Sequence, residues 1–153
     1  MKNTLAALGL TLLSLTACRP DKTPQGEIVS RQTPEGPVLG LSADWLFEDG
    51  RPELKPTAEP ALQQLAQRVR AQPRTLLLVR CYTDSRGDDN ENAQLAQVRA
   101  EAVAGWLRQH QVTVPMEVQG LGEADPLVPN ARPDGSDDPE ARARNRRVEI
   151  VLR

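Results

Sequence analysis

Apolar residues along this chain change rhythm several times, and each change marks an element. Pro37-Val38-Leu39-Gly40-Leu41-Ser42 predicts a first strand, with Val38 and Leu41 among its buried side chains. Thr57 can cap a helix in which Ala58, Leu62, Leu65, Ala66 and Val69 recur at helical spacing, and Gln72-Pro73 ends it. Thr75 to Tyr82 is nearly continuous in apolar residues and bounded by turn formers, the pattern of a strand buried on both faces. Thr83 to Asn90 is polar, contains Gly87 and predicts a loop. Glu91 to Gln111 lacks proline and places Leu95, Val98, Ala102, Val103 and Trp106 on one side of a second helix. Met116 to Gln119 alternates as a short strand before Gly120-Leu121-Gly122, and 125–139, with four prolines, reads as a loop. In Arg146 to Arg153, Val148, Ile150 and Leu152 alternate with charged residues, which predicts a final strand. Strands alternating with helices imply the α/β class, as a two-layer sandwich of a small mixed sheet with helices packed on it.

Ahead of this pattern lies a different kind of segment. Met1-Lys2-Asn3 is a short basic start, and Thr4 to Ala17 is an apolar run too short for a permanent span, which needs roughly 20 residues. Together they predict a signal peptide over residues 1–17. Its last residues and the next, Leu15-Thr16-Ala17-Cys18, resemble a bacterial lipobox, in which the cysteine is lipidated and the signal removed. That resemblance implies a mature chain starting at lipidated Cys18. Arg19, where an aspartate would signal retention, is similar to the pattern of Gram-negative lipoproteins exported to the outer membrane. Residues 18–36, with Pro20, Pro24, Pro34, Gly26 and Gly36 among polar residues, read as a tether with a reach of ~25 Å. Glu27 to Ser30 is a candidate edge strand inside it. The remaining domain is then 37–153.

Composition narrows the function classes. Lys and Arg number 19 against 21 Asp and Glu, a net charge of −2, which argues against nucleic acid as a partner. Aromatics make up 3% of the chain and histidine occurs once, leaving little for a sugar-stacking cleft or a histidine metal site. No Ser-His-acid set, metal-ligand cluster or paired-carboxylate signature stands out, so binding is expected without catalysis and without a cofactor. Of two cysteines, lipidation of Cys18 leaves Cys81 unpaired, and its place at the end of an apolar run predicts burial.

One helix residue is out of place. Asn92, Leu95, Arg99, Val103 and Trp106 are separated by three, four, four and three residues, so they share a narrow sector of the second helix. Arg99 therefore lies within the apolar stripe, where a guanidinium without a partner costs several kcal/mol. The loop opened by Asp84 follows the carboxyl end of a strand, the edge where open α/β sheets bind ligands. Asp84 and Arg99 are expected to converge there, with Asn92 between them. Physical chemistry alone leaves two readings open: a salt bridge pinning loop to helix, or a site for an amino-acid zwitterion, whose ammonium suits Asp84 and whose carboxylate suits Arg99.

Three ordered blocks carry a resemblance. Thr83-Asp84, Gly87, Asn92, Leu95 and Arg99-Ala100 form the first; Leu46-Phe47-Glu48-Asp49-Gly50 with Glu53-Leu54-Lys55-Pro56 precede it. Gly120-Leu121-Gly122, Pro126, Asn130, Arg142 and Asn145-Arg146-Arg147-Val148-Glu149-Ile150 follow. In these residues and intervals the chain resembles the OmpA-like peptidoglycan-binding domain of Pal lipoproteins and flagellar-stator proteins. Two positions depart from the pattern: Cys81 stands where glycine is usual, and Glu48 where many members have aspartate. The resemblance implies noncovalent binding of the diaminopimelate residue of the peptidoglycan stem peptide, with Asp84 taking its ammonium and Arg99 its carboxylate. Thr83 and Asn92 would support the loop or touch the peptide, and Asn145 and Arg146 would border the site. The implied protein is a tether, held in the outer membrane by acyl chains on Cys18 and facing the periplasm. The alternative is an accessory subunit of an envelope secretion or transport complex that uses the domain for localisation beside protein partners.

Overall fold

The computed structural model describes residues 26–153; the expected signal peptide, Cys18 and the first part of the tether lie outside the described residues. Five strands form one mixed sheet: β1 (Val29–Thr33), β2 (Gly36–Ser42), β3 (Leu77–Tyr82), β4 (Met116–Gly122) and β5 (Arg147–Leu152). Their spatial order is β1-β2-β5-β3-β4, with β3 and β4 parallel and every other pairing antiparallel. Four α-helices accompany the sheet among the described residues: α1 (Ala43–Leu46), α2 (Glu59–Arg70), α3 (Asp89–Gln109) and α4 (Pro139–Asn145). This is the expected α/β sandwich of helices on a small mixed sheet.

Alternation along the strands divides the sheet into two faces. Leu39, Leu41, Leu77, Val79, Cys81, Val148, Ile150 and Leu152 join the main core with Leu62, Leu65 and Val69 of α2 and Val103 and Leu107 of α3. On the opposite face Val38, Leu78 and Val151 make a small second cluster. β5 lies in the middle of the sheet, and all six of its residues are buried.

The stretch read as tether contains sheet. β1 begins at Val29 and pairs with β2 from Val29↔Gly40 to Thr33↔Gly36, so strand structure starts ahead of residue 37. The hairpin turns at Pro34-Glu35 and closes on Gly36, whose φ is +131°. A Cβ there would stand 2.5 Å from the Leu152 carbonyl oxygen, so this position admits only glycine.

The helices differ from expectation in instructive ways. Thr57 does not cap α2: it lies in a 3-10 turn, Pro56–Ala58, and α2 begins at Glu59 without a side-chain cap. α3 starts at Asp89 because Asp88 accepts hydrogen bonds from the backbone of Asn90 and Glu91, satisfying two otherwise free N–H groups. Its buried line is Ala96, Arg99, Ala100, Val103, Ala104 and Leu107, while Val98, expected on the apolar side, is 42% exposed. Small residues win that line because α3 lies directly against β4. A Cβ at Gly120 would fall 2.1 Å from the Gln97 nitrogen, and the Gln97 side chain accepts the Gly120 N–H at 2.7 Å. The loop expected over 125–139 gives way to α4, with Asp138 accepting from the Ala141 N–H and Pro139 in the first turn.

Candidate ligand-binding site

The site forms at the carboxyl end of β3. β3 and β4 lose a residue of register between Cys81 and Tyr82, leaving Leu121 as an extra residue in β4. Pairing resumes beyond it, with the Thr83 N–H donating to the Gly122 carbonyl at 2.7 Å. Thr83 and Asp84 are thereby held at the sheet edge, and both are buried. The Thr83 hydroxyl is buried with no hydrogen-bond partner.

Asp84, 7% exposed, divides its oxygens. Oδ1 accepts the Arg86 N–H at 3.0 Å, which folds the loop into a tight turn. Oδ2 accepts Arg146 Nη1 at 2.5 Å, and Arg142 Nε lies 3.6 Å away. Asn92 donates to the carbonyl oxygens of Arg86 at 3.0 Å and Asp84 at 3.4 Å, fastening the loop to the first turn of α3. Asn92 thus supports the loop, one of the two roles considered for it.

Arg99 is 5% exposed and makes no ion pair with Asp84. Its Nε donates to the Arg51 carbonyl at 2.9 Å and its Nη2 to the Glu48 carbonyl at 3.0 Å, with the guanidinium 5.0 Å from the centre of the Phe47 ring. Burial lowers its pKa from the usual arginine range, while Asp44 and Asp49 act in the opposite sense. Among the described residues Nη1 has no partner. The Asp84–Arg99 salt bridge, one of the two readings left open, does not form: a backbone cradle holds Arg99 and arginines hold Asp84. Backbone carbonyls compensate the buried cation without using up a carboxylate.

Arg146 does more than border the site. Its Nε and Nη2 fork onto Asp44 Oδ1 and Oδ2 at 2.7 and 2.6 Å, while Nη1 reaches Asp84. Side-chain hydrogen bonding to Asp44 raises its pKa above the usual arginine value, opposed by burial and reinforced by Asp84. Asn145 bonds away from Asp84 and Arg99: it donates to Val128 O and Asn130 Oδ1, both at 2.8 Å, and accepts the Val128 N–H at 3.2 Å. It fixes the 123–138 loop.

One contributor escaped the sequence, and a second appeared there only within the family pattern, without a role. Asp44 sits in the first turn of α1, directly after β2, and meets Arg146 only through the fold, with no local signal to announce it. Arg142 pairs with Asp137 and flanks Asp84, and the Asp138-Pro139 start of the helix that carries it was the available clue. Of the C-terminal arginines, Arg142 pairs locally, with Asp137. Arg146 reaches across the fold to Asp44 and Asp84, and Arg147 pairs within its own strand with Glu149. Among the described residues no cluster of three or more His, Cys, Asp or Glu could hold a metal, and no helix is long and apolar enough to cross a membrane.

A carboxylate and a cradled guanidinium stand at the end of a mixed α/β sheet, a pair of charges suited to a small polar ligand. The OmpA family model matches residues 46–146, and the chain belongs to that family. Probable lipoprotein YiaD of Escherichia coli is 34% identical over 116 residues, covering 75% of this chain and 50% of that protein. Outer-membrane lipoprotein YfiB of Pseudomonas aeruginosa is 31% identical over 119 residues, covering 77% and 67%. Peptidoglycan-binding protein ArfA of Mycobacterium tuberculosis is 31% identical over 144 residues, covering 82% and 41%. A protein of Gloeobacter violaceus named Photosystem I P700 chlorophyll a apoprotein A2 is 33% identical over 128 residues, covering 83% of this chain but 15% of that one. Apart from YfiB, the chain spans half or less of the length of these curated relatives. Among solved structures, the periplasmic domain of Helicobacter pylori MotB superposes with a TM-score of 0.69 at 27% identity, covering 82% of this chain and 81% of that one. The cell wall anchor of the T6SS from Pseudomonas aeruginosa gives 0.67 at 25%, covering 82% and 86%.

Proposed function

We propose that this protein binds peptidoglycan noncovalently through the diaminopimelate residue of the stem peptide and, lipidated at Cys18, tethers the outer membrane to the cell wall. The observation that carries the reading is a buried guanidinium held by backbone carbonyls, with no carboxylate of the protein on it, in the same site as a buried carboxylate. Asp84 presents a carboxylate at the sheet edge, and Arg99 is held by backbone carbonyls with Nη1 left over. An ammonium on the first and a carboxylate on the second satisfy both. Thr83, beside Asp84, has a free hydroxyl for the peptide. The name of ArfA supports wall binding, that of YfiB an outer-membrane lipoprotein, and that of YiaD a lipoprotein. The role is mechanical and needs no turnover; many anchored copies facing a repeating polymer gain avidity from modest single-site affinity.

The test is co-sedimentation of the full chain, in mild detergent, with purified diaminopimelate-containing sacculi. Wild type should pellet with the sacculi, and a folded Asp84→Ala variant should stay in solution, a loss of a few kcal/mol because the ligand's ammonium is left without its counter-charge. Equal pelleting of the two would remove Asp84 from the site. Likeness to the T6SS cell wall anchor favours a second reading, an accessory subunit of an envelope secretion or transport complex in which wall binding localises protein partners.

A further inference from the structure

We propose that Arg146 is a resident cation in the ammonium seat of Asp84, and that Asp44 holds it when the ligand takes the seat. The inference rests on the reading of Asp84 as the ammonium-binding carboxylate. Each Asp84 oxygen already carries a partner, Oδ1 the Arg86 N–H and Oδ2 Arg146 Nη1, and the residue is only 7% exposed, so an ammonium arriving at Oδ2 meets a guanidinium already seated there.

The exchange is balanced on both sides. Arg146 gives up one hydrogen bond and keeps two, because Nε and Nη2 stay forked on Asp44. Its side chain is 25% exposed and that of Asp44 46%, so the released Nη1 turns to water. Asp84 keeps Arg142 at 3.6 Å throughout, and the ligand's cation replaces the one that leaves. Arg147 shows what an arginine that cannot exchange looks like: Nε, Nη1 and Nη2 all end on groups inside the fold. Arg146 is thus a positioning and selectivity residue. The apparent affinity is the intrinsic affinity scaled by the fraction of time the seat is open, and only a ligand with a cation able to displace a guanidinium gains entry.

The experiment is a set of binding isotherms for the full chain on purified sacculi, with thermal melts to verify folding. Arg146→Gln should tighten binding about tenfold if the seat is open a tenth of the time in wild type. Asp44→Asn should weaken it several-fold, since the guanidinium then has Asp84 as its only carboxylate. The double variant should bind like Arg146→Gln. Arg146→Lys, which keeps the charge but cannot fork across two carboxylates, should fall between wild type and Arg146→Gln and serves if the glutamine variant fails to fold. Weaker or unchanged binding by folded Arg146→Gln, with Asp84→Asn still abolishing binding, would overturn the proposal and leave the wall-binding reading in place. Full binding by Asp84→Asn would instead overturn that reading, and the proposal with it. Acetylating the sacculi's free amines should abolish wild-type binding; retention would show that no ammonium takes the seat.

Discussion

Two regions of this molecule are built from arginines and carboxylates, and they end in different states. On the sheet face away from α2 and α3, Arg147 lies over the Tyr82 ring at 3.6 Å and donates to Glu149, Asn145 O and Asp125 O. Glu149, also buried, accepts Arg31 on the same oxygen as Arg147. Farther along that face Glu35 joins Arg80 to Arg153. At the sheet edge the same residue types leave ends untied: among the described residues Arg99 Nη1 has no partner, the Thr83 hydroxyl is buried and unpaired, and the Asp84 carboxylate is held by a part-exposed Arg146 and by Arg142 of a short helix. A network that serves the fold closes on itself, because each open group inside it costs stability. A network that serves a ligand leaves that closure to the ligand.

The largest effect should come from opening the closed network. Glu149→Ala strands the Arg147 guanidinium in a buried position and should cost about 3–5 kcal/mol of stability, read from denaturant midpoints. At a temperature where the variant remains folded, its binding to sacculi should match wild type. Loss of binding without loss of stability would erase the distinction between the two regions. Arg99→Lys should do the reverse and with less force. The ammonium keeps the charge but cannot span the Arg51 and Glu48 carbonyls while reaching the ligand, so binding should fall by about 1.5–3 kcal/mol, the worth of a hydrogen bond to a charged group. Isotherms on sacculi beside a melt separate the two costs.

How much of this was legible depends on the range of the interaction. Periodicity located β2, β3, β4, β5 and the bodies of α2 and α3, because the face a residue buries follows from its spacing along the chain. Arg99 inside an apolar stripe was legible for the same reason. Its partners were not: they are backbone carbonyls of Glu48 and Arg51, and a backbone acceptor leaves no trace in the residue pattern. Asp44 was silent because its pairing with Arg146 spans more than a hundred residues. α4 was hidden by composition, since four prolines nearby outweighed the Asp138-Pro139-Glu140 start. Val98 was misplaced because hydrophobicity ranked it above the alanines, whereas close approach to Gly120 selects for small size.

Cys81 sits where the two regions meet and reports on whether the space between them stays dry. It occupies the end of β3, buried in the main core, where burial pushes its thiol up to about 12 against the opposing pull of Arg99, the Tyr82 backbone and Arg147. In the unfolded chain the thiol ionises near 9.0. Between those values the unfolded state has lost a proton that the folded state retains, so stability is complete below the lower value and falls as pH rises toward the upper one. At about pH 10 the loss should be on the order of 1 kcal/mol. Urea midpoints measured near pH 8 and near pH 10 for wild type and Cys81→Ala give the difference, and other groups titrating in that range contribute to both proteins and cancel. A steeper fall in wild type than in the variant, with slow thiol labelling near pH 8, means the strand end excludes water although the ligand edge begins two residues later. Equal slopes would mean that water reaches Cys81, and that the open network extends from the rim into the sheet.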